Sequence, residues 1–186
     1  MKLRVPMPRS HRIIYLVLAL ILGVLVLSRL WHRQARFWEP RKDGYAVDAR
    51  VCHAGERSVR LGTSGGLAQE VLLNQLEPEP IRVTLWSRSS EVNPEASAAV
   101  EVWAFPYDPQ GIPSGWVINL PTGTTEWTQY ETLVAAEHPI QRLLIQAYFV
   151  GVRGHIWLDE VEAFAPSDPE WNIVLNSSFE EVVWGR

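Results

Sequence analysis

From residue 45 onward, apolar residues recur at every second position. Tyr45, Val47 and Ala49 alternate with Ala46, Asp48 and Arg50, and Ile81, Val83 and Leu85 alternate with Arg82, Thr84 and Trp86. Ala98, Val100 and Val102 leave Glu101 and Trp103 on the other parity, and Leu143, Ile145, Ala147 and Phe149 leave Arg142, Gln146 and Tyr148. A two-residue period is that of a strand with one buried face. Shorter apolar runs at Val59 to Leu61, Trp116 to Leu120 and Trp127 to Val134 read the same way. They are separated by turn clusters at 62–66, 89–97, 106–115, 121–125 and 151–154. Leu67 to Leu76 is rich in helix formers, but it lies between two strand signals and is stopped by Pro78 and Pro80, so a strand is expected there. Roughly eight short strands punctuated by turns indicate an all-β antiparallel sandwich. In the last of them Ile156 and Leu158 hold one parity and Val161 the other, which predicts a bulge at Asp159-Glu160.

The first 44 residues follow a different pattern. A basic segment, 1–12, precedes an apolar run from Ile13 to Leu27 that extends through Ser28 to Trp31. That length matches the roughly 17 to 20 residues needed for one transmembrane helix. A cleaved signal peptide is the alternative, but no small-x-small site follows the run. Trp31 and Trp38 fall where an interfacial aromatic belt would lie. Residues 32–44 read as a basic juxtamembrane linker resting on membrane lipid, followed by the β-sandwich domain at 45–186. The flanks are basic on both sides of the span. A cytoplasmic N-terminus with the domain periplasmic or extracellular is the orientation expected.

Charge sharpens this division. Residues 1–42 hold nine Lys/Arg against Glu39, a net of 9 − 1 = +8, whereas 43–186 hold eight Arg and twenty acids, a net of 8 − 20 = −12. An acidic domain offers no phosphate-binding stripe, so no nucleic-acid partner is expected. A single cysteine, Cys52, excludes an internal disulfide and a cysteine metal cluster.

Trp127-Thr128-Gln129-Tyr130, an apolar strand, and Gly154-His155-Ile156-Trp157-Leu158-Asp159-Glu160-Val161 resemble the C-terminal half of carbohydrate-binding-module-like, galactose-binding-like jelly rolls. Gly55 to Leu61 fits their second strand, and Glu160 stands where they commonly carry Asp. Asn172 to Glu181 resembles the opening strand of that family, displaced to the far end of the chain. Such a segment either begins a second module or closes the sandwich from the tail. Closure by 172–181 is expected, because an open sheet edge invites aggregation. The resemblance implies a structural calcium held by Asp159 and Glu180 with backbone carbonyls.

Trp86, Trp103 and Tyr148 share the outward parity with Arg82, Arg142 and Gln146, a mixture suited to stacking on sugar rings and binding hydroxyls. It equally suits a protein interface. No histidine stands in a metalloprotease spacing. Gly62-Thr63-Ser64-Gly65-Gly66 matches a nucleophile elbow in letters but lacks its parallel sheet, and a non-enzyme is expected. Two functions follow: a membrane-anchored glycan-binding module, or an accessory subunit of a membrane-protein complex.

Overall fold

The computed structural model describes residues 38–108 and 110–181. The expected basic terminus and membrane span, 1–31, lie outside the described residues. Among those described, no helix is long and apolar enough to cross a membrane.

The strands are β1 (Glu39–Lys42), β2 (Tyr45–Asp48), β3 (Ser58–Gly62), β4 (Gly66–Leu72), β5 (Ile81–Val92), β6 (Ser97–Pro106), β7 (Ser114–Asn119), β8 (Gly123–Val134), β9 (Ile140–Val150) and β10 (His155–Phe164). They form two five-stranded antiparallel sheets, ordered β1-β4-β9-β6-β7 and β2-β3-β10-β5-β8. Outside the β2-β3 and β6-β7 pairs, each strand is followed by one in the opposite sheet. Ile81, Val83 and Leu85 therefore face Val100, Val102, Leu143, Ile145 and Phe149 across one core. Each such side chain contributes about 1.5–3 kcal/mol by leaving water.

The ambiguous segment after Gly66 is a strand, β4, because Leu67, Val71 and the buried Gln69 face the core opposite β9. The bulge lies where the broken parity placed it. The β10 register against β5 shifts between Asp159 and Glu162, and Glu160 takes a positive φ of 46°.

Three expectations are corrected. The linker proposed at 32–44 is not all linker, since Glu39–Lys42 pairs with β4 as an edge strand. Trp38 does not lie in a membrane belt: it is 1% exposed and packs on Phe179 with ring centroids 5.4 Å apart. The tail at 172–181 packs on the sandwich as turns, not as a strand. The asparagine side chains supply the reason. Asn172 Oδ1 accepts from the amides of Ala163 and Val174, and Asn176 bonds the backbone of Glu181 in both directions. Local bonds of this kind replace a ladder. Ile173, Val174 and Phe179 nevertheless enter the core. Gln69 grips Leu175 through both its amide nitrogen and its oxygen, at 2.8 Å each.

Candidate functional site

The outer face of the first sheet brings four of the expected residues together. Antiparallel register sets side chains in rows across β4, β9, β6 and β7. Leu72, Arg142 and Phe105 form one row; Glu70, Leu144, Trp103 and Gly115 the next; then Ala68, Gln146, Glu101 and Val117; then Gly66, Tyr148, Ala99 and Asn119. Trp103 is half-buried because its indole lies over Gly115, where a Cβ would come within 2.9 Å of the ring. Its Nε1 donates to Glu101 Oε2 at 3.1 Å, and Gln146 Nε2 donates to the same oxygen at 2.6 Å. Arg142 pairs with Glu70 at 2.6 Å and stacks on Phe105 with its guanidinium 3.8 Å from the ring centroid. The polar groups are thus fixed before any ligand arrives. Leu144 and Tyr148 are four residues apart on β9, which separates the Trp103 and Tyr148 rows by roughly 13 Å.

Trp86 and Arg82 are not on this platform. They lie on β5, in the second sheet, and face the other side of the molecule. The His53 ring stacks on Trp86 at 3.8 Å and 14°, and its Nδ1 meets Glu160 Oε2 at 2.6 Å. Trp127 closes the cluster edge-on to His53 at 5.7 Å. The loop carrying His53 thereby covers Trp86. Arg82 is exposed beside Phe164, 5.6 Å from its ring.

Asp159 and Glu180, implied by the resemblance as calcium ligands, both serve this same loop. Asp159 is fully buried; its Oδ2 accepts from the amides of His53 and Ala54, and its Oδ1 from that of Glu160. Glu180 Oε1 accepts from the amides of Glu56 and Arg57. As arranged, three amide N–H groups are directed at Asp159 and two at Glu180 Oε1. Among the described residues no three His, Cys, Asp or Glu gather in metal-binding geometry. Burial raises the Asp159 carboxyl above its ordinary value, with Glu160 adding to the rise and the three amides opposing it.

Sequence reasoning missed Glu70, Phe105, Leu144 and Gly115. Their outward parity was visible, but the order of the strands, which alone makes them neighbours of Trp103, was not.

No family model matches the chain, and no curated protein matches it. Solved structures do. The chain is similar to a structure described as family 16 carbohydrate binding module-2, at 13% identity and a TM-score of 0.57, covering 68% of this chain and 89% of that one. A xylan-binding domain from carbohydrate-binding module family 22 matches at 11% identity and TM-score 0.50, over 69% and 86% of the two chains. The enzymatically active domain of bacteriophage CBA120 tailspike protein 4 matches at 14% and 0.52, over 72% of this chain and 19% of the other. At these identities the likeness is one of fold: a β-sandwich of the carbohydrate-binding-module type.

Proposed function

We infer that the protein is a non-catalytic glycan-binding module and that the outer face of its first sheet is the binding surface. The observation that carries this reading is Trp103, laid over Gly115 and tied through Glu101 to Gln146, with Tyr148 farther along the same face. Flat aromatic rings beside pre-oriented amide and carboxylate groups are what a sugar presents itself to, carbon-bound hydrogens on the ring faces and hydroxyls at the edges. The roughly 13 Å between the two aromatic rows suits an oligosaccharide rather than one ring. Likeness in fold to carbohydrate-binding modules supports the class of ligand. The apolar run Ile13 to Trp31 supports attachment to a membrane, with the sandwich held on the exported side.

Affinity electrophoresis against a panel of soluble polysaccharides tests the assignment. Trp103→Ala and Tyr148→Ala should each weaken retention about tenfold or more, the scale of an anchoring aromatic removed from an interface. Trp86→Ala, on the opposite face, should leave retention unchanged. Equal loss from all three, or no retention of the wild type by any glycan, rejects the reading.

The accessory-subunit reading draws on a separate feature. At one end of the sandwich a cleft of about 470 Å³ lies between loops 106–114 and 135–140, with Ile112 87% exposed on its wall. An exposed aliphatic beside a cleft of mixed polarity, lined by Ala136, Ile140, Glu137 and His138, suits a protein contact. Purification in mild detergent separates the alternatives, since a subunit co-migrates stoichiometrically with its partners and a free module runs alone.

A further inference from the structure

The platform has a cationic notch at its Tyr148 end. Gly66 of β4 sits directly between the edge strand β1 and Tyr148 of β9. A Cβ built on Gly66 would lie 3.8 Å from the Cβ of Arg41 and 3.9 Å from that of Tyr148. The missing side chain therefore leaves a phenol on one flank and an arginine on the other with no third side chain between them, over a buried stretch of backbone. Arg41 is exposed, and no hydrogen bond or ion pair engages it among the described residues. On β1 itself Lys42 stands opposite Gly66 and Glu39 opposite Ala68, whereas the charges farther across the face are spoken for. Arg142 is held by Glu70 and Phe105, and Glu101 accepts two N–H groups. An unpaired guanidinium beside an aromatic ring matches a sugar bearing a carboxylate, which the fork of an arginine binds through two parallel hydrogen bonds.

We propose that this notch selects acidic glycans, with Arg41 pairing the carboxylate of a uronic acid whose ring packs on Tyr148. The assignment rests on the platform being the glycan-binding face, and the experiment separates the two. The full-length protein in detergent is run in affinity gels containing polygalacturonate, the same polymer after methyl esterification, alginate or neutral xylan, and is mixed with phosphatidylserine or phosphatidylcholine vesicles. Retention by at least one acidic polymer is expected, about fivefold to tenfold weaker after esterification, after Arg41→Ala, or after Gly66→Val, which places a side chain between Arg41 and Tyr148. It should also weaken as salt rises, because the pair is exposed. Thermal melting of Arg41→Ala should match the wild type. If neutral xylan is retained as strongly as the acids, or Arg41→Ala changes nothing, the notch assignment fails while the platform stands. If no polymer is retained, both fail. If Arg41→Ala removes a preference for phosphatidylserine over phosphatidylcholine vesicles and leaves glycan retention intact, the arginine serves lipid head groups and the assignment is overturned.

Discussion

Glu162 lies just beyond the bulge, facing Thr84 across β5. Burial raises its carboxyl above the ordinary 4.5, the neighbouring Glu160 adds to the rise, and Arg82 and Thr84 oppose it. A raised folded-state pKa means that the native chain holds this proton more tightly than the unfolded one. Its contribution to stability is complete below about pH 4.5 and is lost as the pH climbs through the raised value. Glu162→Gln cannot titrate. Relative to wild type, the variant should therefore gain stability between urea denaturations at about pH 4 and about pH 7. An identical difference at both pH values would show that this carboxyl carries no linkage. The residue scale is also where parity reached its limit. Alternation assigned Trp86 and Trp103 alike to the outside. But β5 and β6, consecutive in sequence, belong to opposite sheets. Outward on one is the far side of the molecule from outward on the other. Arg142, Gln146, Tyr148 and Trp103 could be grouped only once β9 was known to pair with β6, whereas Trp86 and Arg82 fell away with β5.

At the scale of elements, the first described strand and the last segment meet. Trp38 enters just ahead of β1, Phe179 returns in the tail, and the two rings pack between the sheets. Removing the phenyl leaves a large cavity that the closely packed strands cannot fill, so Phe179→Ala should cost about 3–5 kcal/mol in chemical denaturation. Phe179→Leu, which keeps most of the volume, should cost about half as much or less. A loss under about 1 kcal/mol for the alanine variant would mean that the sandwich stands without its tail. The apolar letters of this segment were legible in the chain, as was its place beside a vacant edge. Its conformation was not. Asn172 and Asn176 bond to backbone groups within reach, and Asn176 and Phe179 adopt φ of 49° and 59°, so turns win over a ladder for reasons that periodicity does not register. At the other terminus the misreading ran the opposite way. Glu39–Lys42 is too polar and too short to look like a strand, and it becomes one because β4 offers it an unpaired edge.

The same two termini constrain how the whole molecule would sit on a membrane. β1 runs antiparallel to β4 with Glu39 opposite Ala68, so Trp38 and the start of β1 lie toward the end where β4 finishes at Leu72. That end carries loops 73–80, 106–113 and 135–139, the first two joined where Tyr107 Oη donates to Asn74 Oδ1 at 3.4 Å. If the anchor ends at Trp31, six residues, 32–37, remain as tether, and an extended chain of that length reaches only about 20 Å. Leu76 and Ile112, 89% and 87% exposed at this end, would then lie near the head groups, and Val152, 86% exposed in the β9-β10 turn, would lie at the far end. Glu77, Glu79, Asp108 and Glu137 give the near end a negative charge, and Arg29, Arg33 and Arg36 supply the opposite sign in the intervening sequence. Such an arrangement would stand the strands on end and leave the Trp103 face open along the side, clear of the bilayer. Spin labels at positions 76, 112 and 152, introduced singly into the full chain with Cys52→Ser and reconstituted in vesicles, measure it. Relaxation by a lipid-anchored paramagnet should be strong at 76 and 112 and weak at 152. The reverse order would turn the molecule over, and equal relaxation at all three would remove the short tether on which the orientation depends.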